Sequence, residues 1–171
     1  MDRTTLRETQ APLKKRYRDD PATALTPLHA TAAFDDDGIT CTVRTWAGPV
    51  RAGLHPATGG AGSDACSGDM LLEALLACTG VTLRSVATAL GIEIRHATFE
   101  ARGVFDARGT LGVSREVPVG AHDIQLVVEL DTDADDEALT RLGAMTERYC
   151  VVAQSLATLP SLQIRRRAKA R

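Results

Sequence analysis

Aromatic residues are scarce in this chain: one Trp, two Tyr and three Phe among 171 residues. The interior of a domain this long must therefore be packed with aliphatic side chains and alanine. Charge of one sign is also missing. The formal net charge is −2, so no global field draws the chain to nucleic acid or to a membrane surface. Arginine outnumbers lysine 17 to 3, which reads as coding bias rather than chemistry. The first 18 residues are polar and lack the apolar stretch of a signal peptide. Glu73 and Arg84 interrupt the longest apolar run, around position 78, so no membrane span is expected. The expected location is the cytoplasm. Thiols there are kept reduced, so four cysteines do not read as a disulfide framework. Neither a Cys-x-x-Cys spacing nor a histidine cluster occurs, which argues against a zinc site. The glycine-rich stretch 53–63 matches neither a P-loop nor a dinucleotide fingerprint, so no metal and no cofactor is expected.

What is present divides at about residue 30. Residues 1–30 read as an N-terminal arm, largely charged, with Pro12 and Pro21 bracketing a short helix. The arm is either a solvated surface segment or one that packs on a partner subunit. Residues 31–171 read as one domain. Within it, 39–46 alternates as a half-buried strand with Ile39, Cys41, Val43 and Thr45 on one side, taken as inward, and a second short strand follows near 50–54. A long helix begins at the N-cap candidate Ser67 and runs to Leu90, with Gly91 suited to the left-handed position after it. Its stripe at helical spacing is Leu71, Ala74, Leu75, Cys78, Val81, Thr82 and Ser85. Gly80 in its middle points to the close approach of another backbone. Further strands are expected over 92–105 and 122–130, with a turn at 108–110. Ile124, Leu126, Val128 and Leu130 face inward on the second of these strands. A helix over 137–149 is capped within 133–136. A second helix covers 150–159, and a last strand contains Leu162 and Ile164. Residues 165–171 form a solvated basic tail. Long strands with a separate central helix favour an α+β fold over a doubly wound sheet.

Two cysteines carry the chemistry. Cys78 ends the segment SGDMLLEALLAC (67–78), and Cys150 opens CVVAQSL (150–156), 72 residues later. A buried free cysteine often serves only as a small hydrophobe, and Cys41 reads that way. Cys66, just ahead of the helix, is the other thiol with a chance of exposure.

These two motifs, in this order and behind a glycine-rich loop, resemble the osmotically inducible protein C and organic hydroperoxide resistance family (OsmC/Ohr) over roughly residues 38–166. The resemblance implies an α+β OsmC-like fold with antiparallel sheets packed around a long central helix, assembled as an intertwined homodimer. It implies an organic hydroperoxide, or another apolar small molecule, as ligand. Cys78 would be the peroxidatic thiol, Cys150 the resolving one, and an external dithiol the reductant. In the family's peroxidases an arginine held by a carboxylate activates the first thiol. Here Gly68 stands where they carry glutamate, Val151 where they carry proline, and no arginine occurs over 25–37. The supporting candidates are therefore Arg148 and Glu147 beside Cys150, Asp69 in the first turn of the long helix, and His55 in the preceding loop. Arg16, Arg18 and Arg51 are further cations that could serve Cys78. Alternatives from other classes are a non-enzymatic binding module of the same fold and a redox sensor acting through the arm.

Overall fold

The computed structural model describes residues 1–167. In order, the elements are α1 (Arg3–Asp19), β1 (Thr31–Ala33), β2 (Thr40–Thr45), β3 (Gly48–Gly53), α2 (Ser67–Leu90), β4 (His96–Val104), α3 (Ala107–Thr110), β5 (His122–Asp131), α4 (Asp136–Tyr149), α5 (Val151–Gln154) and β6 (Ser161–Arg166). Two 3-10 turns, Pro21–Ala24 and Pro56–Thr58, complete the chain. The α+β expectation holds. The sheets are three-stranded, in the orders β1-β2-β3 and β4-β5-β6. The first is antiparallel throughout. The second departs from the expected antiparallel pattern, because β6 runs parallel to β5 with Leu126 opposite Leu162. A parallel pair needs a long crossover, and α4 with α5 supplies it.

The chain forms two compact units. One comprises Met1–Pro27, Leu75–Ala101 and the chain from Gln125; the other comprises Leu28–Ala74 and Arg102–Ile124. The first unit holds a continuous aliphatic core. Leu83, Val86 and Ala87 of α2 meet Ile94, Val128 and Leu130, and Leu139 and Leu142 of α4. β5 alternates as expected, with Ile124, Leu126, Val128 and Leu130 all buried. α4 starts where the sequence predicts, with Asp135 accepting a hydrogen bond from the Ala138 amide at 2.8 Å.

α2 ends as expected. Gly91 has φ +73°, its amide bonds to Thr88, and the Ile92 amide bonds to Ala87, the pairing of a Schellman stop. Its buried face differs from the predicted stripe: Leu75, Thr79, Leu83, Val86 and Ala87 are buried, while Val81 is exposed. A helix apolar around most of its circumference gives a weak phase to read. Gly80 faces the Phe99 ring at ordinary contact distance rather than a backbone. By length and composition alone α2 would be apolar enough to cross a membrane despite Glu73 and Arg84. Instead it supplies core residues.

α1 is longer than expected. It runs through Pro12 from an Asp2 cap to Asp20, and it buries none of its residues. Ile39, expected inward, is exposed. The 108–110 turn is the short helix α3. The helix expected over 150–159 stops at Gln154. Of the expected basic tail, Arg165 and Arg166 belong to β6 and the Arg167 amide bonds to the Leu130 carbonyl; residues 168–171 lie outside the described residues.

Candidate functional site

The first unit brings Cys78 and Cys150 together. Cys78 lies on α2 and is half-buried, whereas Cys150 is 1% exposed, and both are free thiols. Each enters the other's hydrogen bonding. The placement of Cys150 follows from how two helices share it. It is the C-cap of α4, its amide bonding to the Thr146 carbonyl, and it is the N-cap of α5. Its extended backbone (φ −76°, ψ 104°) ends one helix and starts the next. No side-chain oxygen caps α5. The first amides of a helix lack intrahelical acceptors and need them from elsewhere. No side chain caps them here, and the two thiols lie among them: the Val152 and Val151 amides act to lower the Cys78 pKa, and the Ala153 amide that of Cys150.

This arrangement separates the two thiols electrostatically. Burial works to raise the Cys78 pKa. Hydrogen bonds from the Val152 amide, the Cys150 thiol, the Thr82 hydroxyl and the Val151 amide outweigh it and hold Cys78 below the ordinary cysteine value. Burial dominates at Cys150 and pushes its thiol up, against hydrogen bonds from the Ala153 amide and Thr79. The neighbouring Cys78 raises it further. Cys78 is thus the better thiolate and Cys150 the thiol that keeps its proton. The strongest groups favouring the Cys78 thiolate are neutral donors. The sequence pointed instead to a cation, because Cys78 is far from the start of its own helix. The donors come from the start of a different helix, a relation that exists only after folding.

The supporting candidates fall in different places. Arg148 lies over the Tyr149 ring, its guanidinium carbon 5.8 Å from the ring centroid. Glu147 accepts a hydrogen bond from Gln154 Nε2 at its carbonyl, at 2.9 Å. With Thr79, Thr146 and Cys150 it also lines a small cavity of about 90 Å³. Arg16 stacks on Tyr17, and Arg51 sits between Asp36 and Asp64 at 3.2 and 3.4 Å. Arg18 is in the last turn of α1.

His55 and Asp69 belong to the second unit, where with Cys66 they line a cleft of about 520 Å³ walled by Leu54, Leu72 and Phe105. The glycine-rich loop builds one edge of it. The His55 carbonyl accepts from the Thr58 and Gly60 amides, and a Cβ on Gly60 would fall 1.7 Å from the Leu54 carbonyl oxygen. The glycine there permits a chain reversal. His55 Nδ1 accepts from the Ala57 amide at 3.0 Å, and its ring meets Phe105 edge-on at 5.2 Å. Cys41 is half-buried on β2, not fully in a core.

The residues that sequence reasoning missed are Thr79, Thr82 and the Val151 and Val152 amides. Thr79 and Thr82 left a signal: a hydroxyl on a largely apolar helix, near a cysteine, needs a partner once buried.

The chain is thus an α+β protein that brings two free thiols together. The family is narrower still. Residues 60–165 match the family of OsmC-like proteins, well over half the chain, and the chain belongs to that family. Several solved structures share the fold. An OsmC-like protein from Mycoplasma pneumoniae superposes with a TM-score of 0.65 at 17% identity, covering 83% of this chain and 95% of that one. An OsmC-like protein from Vibrio cholerae gives 0.67 at 12%, covering 82% and 99%. An organic hydroperoxide resistance protein from Elizabethkingia anophelis gives 0.65 at 15%, covering 83% and 96%. At these identities the likeness is one of fold. None of the curated proteins compared by sequence matches this chain.

Proposed function

We propose that this protein is a thiol-dependent peroxidase that reduces organic hydroperoxides through a Cys78/Cys150 dithiol–disulfide cycle. The observation that carries the reading is that one unit brings two free thiols together, Cys78 on α2 and the buried Cys150 between α4 and α5, and their surroundings lower the Cys78 pKa while burial raises that of Cys150. In the first step the Cys78 thiolate attacks the terminal peroxide oxygen. An S–O bond forms, the O–O bond breaks, and the departing alkoxide takes a proton to leave as the alcohol. Cys78 is now a sulfenic acid. In the second step Cys150 sulfur attacks Cys78 sulfur; an S–S bond forms, the S–O bond breaks, and hydroxide combines with the Cys150 proton to leave as water. A resolving thiol in contact keeps Cys78 from climbing to sulfinic acid. An external dithiol then reduces the disulfide and is itself oxidised. Similarity in fold to proteins described as organic hydroperoxide resistance proteins from Legionella pneumophila and Elizabethkingia anophelis supports this choice of substrate.

The working form is a cytoplasmic homodimer. The reason is the large apolar surface that one chain leaves in water, including Phe34, Ile39 and Trp46. Mixing reduced protein with tert-butyl hydroperoxide should consume one peroxide per chain and two thiols. Unchanged peroxide with both thiols still free would overturn the reading.

A second reading is a non-enzymatic ligand-binding protein of the same fold, favoured by the apolar cleft beside His55 and by Gly68 where peroxidases carry glutamate. In that case Cys78→Ser with Cys150→Ser leaves binding of an apolar ligand intact.

A further inference from the structure

Threonines on the long helices of this chain do not all dispose of their hydroxyls in the same way. Thr88, Thr140 and Thr146 donate back to the carbonyl four residues earlier, at 2.8–2.9 Å, the usual outlet for a hydroxyl on a helix. Thr79 meets a different partner. Its Oγ1 lies 3.6 Å from Cys150 Sγ, 71 residues away in sequence, and both residues are 1% exposed. A hydroxyl that deep must be partnered, and a bond across elements places it where helix geometry alone would not.

We infer that Thr79 is a positioning residue that aims the Cys150 proton at Cys78. The inference rests on the dithiol reading but not on the identity of the oxidant. Cys150 has one proton. If the Thr79 hydroxyl donates to the Cys150 sulfur, that proton is directed to the Cys78 sulfur. The chain of bonds runs from Thr79 O–H to Cys150 S–H to the Cys78 thiolate, each strengthening the next. Cys150 acts to lower the Cys78 pKa and Cys78 to raise that of Cys150, in keeping with that direction, while Thr79 acts on Cys150 as a donor would, against the raise that burial causes. The same bond orients the Cys150 sulfur for its attack on a sulfenic acid at Cys78. Glu147 is the one charged residue that lines the cavity beside Thr79 and Cys150, and it is on α4 rather than in this chain of bonds.

The test is the rate at which iodoacetamide alkylates Cys78 from pH 5 to 9, read site by site by peptide mass spectrometry. Thr79→Val keeps the shape and removes the hydroxyl. It should move the Cys78 profile to higher pH and lower the rate at pH 7 on the order of threefold. Thr79→Ser should restore the parent profile, and Thr79→Ala, smaller and also without the hydroxyl, should behave as the valine does. With Cys150→Ala in place, Thr79→Val should have no effect, because the link is gone. A Thr79→Val profile that superimposes on the parent overturns the inference. So does an equal shift in the absence of Cys150. Peroxide is absent from the assay, so failure of the hydroperoxide reading shows separately, as peroxide left unconsumed.

Discussion

The two units of this molecule bury apolar surface very differently. In the unit of α4 and the C-terminal half of α2, Leu75, Leu83, Val128, Leu130 and Leu142 are each 1% exposed or less. In the unit of residues Leu28–Ala74 and Arg102–Ile124, Ile124 at its boundary is the one buried hydrophobic residue among those described. There Trp46 is fully exposed and Phe34 is 84% exposed, with Leu28, Ile39, Val113 and Val119 also in water. The thiol pair sits in the unit with the core. Chemistry that depends on hydrogen bonds to sulfur needs fixed geometry, and close packing supplies it. The other unit carries hairpins and loops whose apolar side chains await a cover.

That contrast can be broken most sharply from the core side. Leu130→Ala removes a side chain with no exposure and should cost about 3 kcal/mol. Denaturant unfolding measures it, and a loss as small as a surface substitution would deny that this unit carries the stability. Gly60→Ala comes next. Its methyl group would collide with the Leu54 carbonyl, so the loop must shift, at a cost of about 1–3 kcal/mol. The edge-on contact of His55 and Phe105 should loosen with it, visible as a change in the histidine ring resonances. Trp46→Ala should change the unfolding free energy of the dilute single chain by no more than about 0.5 kcal/mol. Under the dimer proposal it should still weaken self-association, read by sedimentation at increasing concentration. A strongly destabilised dilute monomer would show that this side of the molecule has a core of its own.

The smallest effect is titrational. Hydrogen bonds from the Arg108 side chain and amide hold Asp106 down to about 2, below its ordinary 3.8. A depressed carboxylate stabilises the fold above its unfolded pKa. That contribution is lost as pH falls from 3.8 through about 2. The difference in melting temperature between the parent and Asp106→Asn should therefore shrink over that window. Asp106 is half-buried, but its partner Arg108 is exposed and water screens the pair, so the difference is small at every pH.

How much could be read in advance followed from periodicity. β5 alternates strictly and was legible residue by residue, as were the Asp135 cap and the Gly91 stop. α2 was legible in extent but not in phase, because apolar residues on most sides leave the buried face to be chosen by its neighbours. α1 passes through Pro12 with exposed caps at both ends, so the proline that reads as a boundary is inside it. α5 is shorter than its apolar composition suggests. Pro160 biases the preceding residue away from helix, and Ser155 Oγ turns back to the Val151 carbonyl. At the site, the two cysteines and their pairing came from motifs and resemblance. The donors around them could not, since the Val151 and Val152 amides reach Cys78 only once α5 lies against α2.

The sharing of Cys150 between two helices has a last consequence. The opening amides of α5 act on the two thiols in favour of the thiolate, and a thiolate is a far better acceptor for them than a disulfide. Oxidation would thus take a charge away from the amides of Val151 and Val152 without moving any charged side chain. Under the dithiol proposal, amide hydrogen exchange at 151–153 should therefore be faster in the oxidised protein. A backbone segment four residues long, α5, becomes the gauge of the chemistry beside it.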